Sequence, residues 1–175
     1  MRLFFAVPIP EETSARIAAE RKRVVSDALR WVDLENQHFT LHFLGEVAEE
    51  RLEGLISAGS AVAAKHQPFF IQISGAGFFP NQNRPRIFWI GTAEGTEKLA
   101  ALAKDLSGDR PFWPHLTVVR IKKKIPAEIM QQLERWKDKD FGSFLIDRFL
   151  LMESRLFPEG AVYCEIHSFP LNKKD

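Results

Sequence analysis

The chain has 175 residues, 45% of them hydrophobic and 27% charged, with a formal net charge of +1, which fits one globular domain or two small lobes sharing a core. A protein that coats long nucleic acid carries a clear basic excess, which this chain lacks, and no run approaches the roughly 18 apolar residues of a membrane span. Cys164 stands alone, so an intramolecular disulfide and a four-cysteine zinc site are excluded, and a cytoplasmic location is the default expectation.

Residues 2–7 read as a first strand and not as a signal peptide, because the apolar run is short and ends at prolines and an acidic pair. Pro10-Glu11-Glu12 opens a helix expected to reach about Leu29. Residues 38–44 alternate, with Phe39, Leu41 and Phe43 assigned to a core and His38, Thr40 and His42 to a groove or solvent. Gly45 ends that strand, and Leu52, Leu55, Ile56, Gly59, Val62 and Ala63 recur at helical spacing. Strands are expected over 68–77 and 86–91, separated by the turn formers of Pro80-Asn81-Gln82-Asn83-Arg84-Pro85. Leu99, Leu102, Ala103 and Leu106 mark a third helix closed by Gly108. A strand over about 115–121 follows, and Pro126 opens a fourth helix carrying Ile129, Met130, Leu133 and Trp136. Two long strands near 143–153 and 160–168 finish the chain, turning at Pro158-Glu159-Gly160.

The order contains a repeat of architecture. His38 stands two residues before Thr40, and His115 two before Thr117. In each half a His-x-Thr strand leads through a short connection into a helix and then into further strands. With five His and five Thr in the chain, random placement gives roughly 0.14 such tripeptides, and two by accident has odds on the order of one in a hundred. Residues i and i+2 of a strand share a face, so each motif presents an imidazole beside a hydroxyl. Two lobes related by an approximate two-fold axis would bring the pairs face to face across a cleft. A proton acceptor, a proton donor and two hydroxyls around one anionic group are the equipment for acid–base attack on a phosphoester. A single His-x-Thr reads more simply as a strand with a half-buried histidine; the doubling carries the signal.

Arg30-Trp31-Val32, Glu35-Asn36-Gln37-His38-Phe39-Thr40-Leu41-His42-Phe43-Leu44-Gly45 and Pro114-His115-Leu116-Thr117-Val118-Val119-Arg120 resemble the paired signatures of the two-histidine phosphoesterase superfamily. Within it the chain is similar to the LigT-like (ThpR) RNA 2′,3′-cyclic phosphodiesterases, a likeness that Arg84-Pro85-Arg86-Ile87-Phe88-Trp89 and Glu153-Ser154-Arg155-Leu156 share. The resemblance spans nearly the whole chain. It implies an α+β, bilobal, pseudo-two-fold fold with two antiparallel sheets flanking a central cleft and helices outside, here as one domain over 1–175. It implies hydrolysis of a terminal 2′,3′-cyclic phosphate to a 2′-phosphate without metal or cofactor. By microscopic reversibility it also implies a 2′–5′ RNA ligase activity. His38 is then the proton donor to O3′, His115 the base that activates water, and Thr40 and Thr117 the holders of the phosphate. The implied partners are RNA ends or nucleoside 2′,3′-cyclic phosphates, with no membrane, and a monomer is expected.

Around this centre the sequence leaves choices open. Arg120 occupies a position where the family often has a phosphate-binding arginine, yet it lies five residues from His115, and strand parity turns it to the opposite face unless a bulge re-aims it. His42 shares the expected face of His38 and Thr40, either lining the cleft to favour anions or standing as a polar residue at its mouth. A shared zinc between His38 and His42 fails on strand spacing. Trp113, ahead of Pro114-His115, is the best base-stacking candidate, although for Trp31, Trp89 and Trp113 alike a core position is the simpler reading. His66 is assigned to a helix end and His167 to a structural role. Arg155 is either a buried pairing arginine or a ligand contact. Lys122-Lys123-Lys124 reads first as a solvated run and second as a phosphate contact. Two other functions compete: a non-catalytic RNA-end binding module, and a phosphodiesterase for a small cyclic nucleotide such as ADP-ribose 1″,2″-cyclic phosphate.

Overall fold

The computed structural model describes residues 1–158 and 160–173. Its strands are β1 (Arg2–Pro8), β2 (Leu29–Trp31), β3 (His38–Glu46), β4 (Phe69–Phe79), β5 (Ile87–Thr92), β6 (Leu116–Ile121), β7 (Asp140–Ile146), β8 (Arg148–Phe157) and β9 (Gly160–Pro170). The helices are α1 (Glu11–Arg21), α2 (Leu52–Ala63), α3 (Thr96–Ser107) and α4 (Ala127–Glu134). The strands run in the order β7-β4-β5-β6-β3-β1-β8-β9, with β2 beside β6, and the pairings are antiparallel. β3 and β6 meet at a single residue pair, Phe39 with Leu116. The two sheets expected from the sequence are therefore two four-stranded halves, β3-β1-β8-β9 and β6-β5-β4-β7, bridged at one point. Each half begins at the centre with its His-x-Thr strand.

One face of the sheet makes the main core. Leu3, Phe5, Val7, Phe39, Leu41, Phe88, Ile90, Leu116, Phe149, Leu151 and Phe169 all point into it. α2 lies against β8, β9 and α3, and α3 against β3 and β4. α2 approaches closely enough that a Cβ on Gly59 would come within 2.6 Å of the Phe169 ring. β1 is buried along both faces, Leu3 to Val7 without a break, because its alternate residues Phe4 and Ala6 face the cleft side instead of the helices. That explains the short continuous apolar run in place of an alternation.

Three expectations need correction. The first helix stops at Arg21, not near Leu29. Its end tightens into i→i−3 bonds from Arg23 and Val24, and the Ser26 hydroxyl accepts from the Ala28 N–H, a local bond that competes with the helical ladder. The freed residues Leu29–Trp31 then pair with β6. The single strand expected near 143–153 is two strands in opposite halves: β7 pairs with β4 and β8 with β1 and β9. Phe43 does not enter the core; it is 45% exposed, for the reason given below. Within the turn expected at Pro158-Glu159-Gly160, Glu159 lies outside the described residues, and β8 and β9 close with Phe157 opposite Gly160.

Gly77 on β4 lies opposite Trp89 on β5, and a Cβ there would meet the indole Cζ2 at 2.5 Å. Three indole atoms lie within 3.0 Å of that position, so the ring or the strand would have to shift. Gly77→Ala is expected to lower the unfolding free energy by about 1–3 kcal/mol, the usual cost of overpacking, measured by urea denaturation.

Candidate functional site

Phe39 and Leu116, the one strand pair that joins β3 to β6 among the described residues, are the middle residues of the two His-x-Thr triplets. Antiparallel register through that pair sets His38 opposite Thr117 and Thr40 opposite His115. Phe39 and Leu116 are fully buried, so the four flanking side chains stand together on the other face, each half-buried. The juxtaposition expected from the doubled motif is thereby formed.

Each motif strand carries a bulge immediately after its threonine. β3 pairs Ala6 with Thr40 but Phe5 with His42, skipping Leu41. β6 pairs Trp89 with Thr117 but Phe88 with Val119, skipping Val118. An inserted residue inverts the alternation beyond it. Val118 and Val119 are accordingly both buried, and Arg120, paired with Ile87, returns to the Thr117 face. The parity objection to Arg120 is removed by this bulge. The same device in β3 turns Phe43 to the cleft side, where its ring lies 6.5 Å from Phe4 and under the Arg2 guanidinium at 5.0 Å. It also turns His42 away: His42 pairs with Phe5, on the face α3 covers. His42 is thus not a neighbour of His38 and Thr40, and the assignment of His42 to substrate binding is corrected. Burial and the Arg110 charge both push its imidazole pKa down.

The two imidazoles are held alike. His38 Nδ1 bonds the Asn36 carbonyl at 2.8 Å, and His115 Nδ1 bonds the Trp113 carbonyl at 2.7 Å. A carbonyl only accepts, so each Nδ1 carries the proton and each Nε2 is left for chemistry. His38 Nε2 accepts from the Thr40 hydroxyl at 3.1 Å in its neutral form. An aromatic ring meets each imidazole edge to face: Tyr163 against His38 (5.2 Å, 84°) and Phe79 against His115 (5.1 Å, 89°). Phe4 adds a second ring 5.0 Å from His38. Burial therefore holds His38 largely neutral, its pKa pushed down to about 4, with the charges of His115 and Arg120 acting the same way and the Asn36 carbonyl opposing them.

Beside His38 opens a cavity of about 490 Å³ lined by Trp31, Asn36, Arg120, Phe157, Ala161 and Tyr163, among others. Trp31 is half-buried, with Trp136 at 5.8 Å and Arg21 at 5.5 Å. Trp113 is 63% exposed; its backbone carbonyl positions His115, and its ring meets Trp89 at 6.2 Å. Arg155 pairs, gripping Glu153 through Nε (2.9 Å) and a terminal nitrogen (2.8 Å), but the buried position expected for it is corrected: it lies exposed at the surface. His66 bonds Asp105 at 2.8 Å, tying the end of α2 to α3, and His167 packs on Phe169 at 4.7 Å. Phe43, Tyr163 and the Asn36 carbonyl were missed by sequence reasoning. One signal for Phe43 was available: it stands five residues after His38, as Arg120 stands five after His115.

The depressed His38 pKa couples to folding. The unfolded chain protonates this histidine near 6.5 and the folded one only near 4, so between those values the unfolded state binds more protons. Stability is expected to fall by about 3 kcal/mol as pH drops through that window, measured by denaturant titration at a series of pH values. His38→Gln is expected to flatten that slope.

Comparison with known proteins agrees with this geometry. The model of the LigT like phosphoesterase family matches residues 7–89. The chain is 35% identical to the RNA 2′,3′-cyclic phosphodiesterase of Methanocaldococcus jannaschii, over 93% of this chain and 96% of that protein. Among solved structures it is similar to TT0787 of Thermus thermophilus (TM-score 0.79, 34% identity, 98% of both chains). It is also similar to E. coli LigT complexed with 3′-AMP (TM-score 0.76, 26% identity, 98% of both chains). On the doubled motif, the fold and these likenesses together, the chain belongs to the LigT-like phosphoesterase family.

Proposed function

We propose that this protein hydrolyses the 2′,3′-cyclic phosphate at an RNA end to a 2′-phosphate, by two-histidine acid–base catalysis that needs no metal. The observation that carries this reading is the register through Phe39 and Leu116, which sets two imidazole–hydroxyl pairs around one point. The relatives named RNA 2′,3′-cyclic phosphodiesterase support it.

In the proposed reaction His115 Nε2 takes a proton from water as the water oxygen bonds to phosphorus. The P–O3′ bond breaks in line, and O3′ takes a proton from His38 Nε2. Thr40 and Thr117 donate to the non-bridging oxygens, where charge grows, and Arg120 balances the anion. The cavity walled by Trp31 and Tyr163 receives the terminal nucleoside. After the step His38 is neutral and His115 protonated; exchange with solvent resets both.

The electrostatics add a condition. Burial keeps His38 neutral in the free protein, so a donor role requires that the bound phosphate restore its proton. An anion against Nε2 favours the imidazolium, which makes loading of the acid a consequence of substrate binding. The His38 pKa, followed by NMR of the imidazole nitrogens, is expected to move upward from about 4 when a nucleoside 2′-phosphate is added. No movement would assign the donor role elsewhere.

A nucleoside 2′,3′-cyclic phosphate supplied with EDTA is expected to give the 2′-phosphate, identified by ³¹P NMR. A 3′-phosphate product or strict dependence on a divalent ion would overturn the mechanism. His38→Ala and His115→Ala are each expected to lower kcat by about 10²–10⁴-fold. The double variant should fall little further, because groups acting in one step are not additive. Tight binding of the ester without turnover would instead identify an RNA-end binding module, and a panel including ADP-ribose 1″,2″-cyclic phosphate separates the small-nucleotide alternative.

A further inference from the structure

A cavity larger than the one beside His38 lies away from the two histidines. It holds about 900 Å³ and sits where β5 begins and β6 ends, between the 82–86 loop and the 122–127 segment that leads into α4. Arg84, Arg86, Lys122, Lys123 and Lys124 line it, and none of its lining residues is acidic. Lys123 is held by Asp27 at 2.8 Å. Among the described residues the other four make no ion pair. In a chain of net charge +1, four uncompensated cations around one hollow repel one another, and an anion relieves that cost. The hollow is shaped by the fold: Asn81 Oδ1 accepts from the backbone N–H groups of Asn83 and Arg84, and the Ile121 N–H donates to the Arg86 carbonyl.

This cavity is continuous along one strand with the proposed phosphate site. Thr117 and Arg120 face the cleft, and Ile121 and Lys122, next in sequence, line the hollow. From Thr117 to Lys122 is about 16 Å of strand. Stacked nucleotides rise about 3.4 Å each, so a single strand of about five nucleotides covers that distance.

We propose that this basic hollow binds the phosphodiester backbone of the RNA upstream of its reacting end, making an oligonucleotide, and not a mononucleotide, the preferred substrate. The inference rests on the function proposed above. It gives the Arg84-Pro85-Arg86 stretch, which lines the hollow, a role in holding the strand.

The test compares wild type with the triple variant Arg84→Gln, Lys122→Gln, Lys124→Gln; all three side chains are exposed, so the fold should survive. Activity on a nucleoside 2′,3′-cyclic phosphate is expected to be unchanged and serves as the folding control. On an octaribonucleotide with a 2′,3′-cyclic end, kcat/KM is expected to fall about ten-fold or more, and the slope of log kcat/KM against log salt to shrink by about 2. Equal losses on both substrates, or none on either, would overturn the proposal. Anisotropy of a labelled octaribonucleotide ending in a plain hydroxyl is read in parallel, because it needs no turnover. If wild type hydrolyses neither ester, the functional reading fails, while weaker binding by the variant still upholds the hollow as a phosphodiester site and unchanged binding rejects it. Competition by polyglutamate as strong as by RNA would point to an acidic protein partner and reject it as well.

Discussion

Two four-stranded halves touch through the backbone of Phe39 and Leu116, and the geometry of the site follows from that contact. Because both residues are buried, a slip of one position would carry every motif side chain to the wrong face. The hydrophobic core therefore enforces the register, and the register places His38 against Thr117 and Thr40 against His115. The placement of these four side chains is a by-product of where Phe and Leu must go.

The bulges extend this logic. Without the extra residue after each threonine, the fifth residue after each histidine would point into the core. With it, Arg120 enters the cleft from one half and Phe43 from the other. The two-fold relation of the backbone thus delivers a cation on one side and an apolar ring on the other. A pseudo-symmetric scaffold becomes an asymmetric site through side-chain identity at equivalent positions.

A similar asymmetry separates the histidines. Their Nδ1 bonds are equivalent, to carbonyls two residues upstream. Their surroundings are not, because His38 is packed between Phe4 and Tyr163 and its proton affinity is depressed. An equal backbone clamp on two imidazoles thus leaves them in unequal packing, aromatic on two sides at His38 and on one side at His115. Charge is also partitioned on a larger scale: near-neutral overall, the chain lines one hollow at the end of β6 with five cations and no acid, and among the described residues only Lys123 of the five makes an ion pair.

Elements marked by periodicity and by Pro or Gly punctuation were legible in the residues alone: the helices opened by Pro10 and Pro126, the helix closed by Gly108, and both motif strands. So was the pairing of His38, Thr40, His115 and Thr117, because a doubled i, i+2 pattern needs only strand geometry to acquire meaning. Features set by partners distant in sequence were not. The chain reads as helical to about Leu29 until β6 claims Leu29–Trp31, and the chain near Asp147 looks continuous until β4 and β1 pull its two sides apart. The bulges at Leu41 and Val118 leave no local trace, since a bulge is a mismatch between two strands and exists only once they pair. That mismatch moved His42 out of the cleft and brought Arg120 and Phe43 into it. Local periodicity thus determined which residues could do chemistry, and only the tertiary pairing decided which of them face the same point.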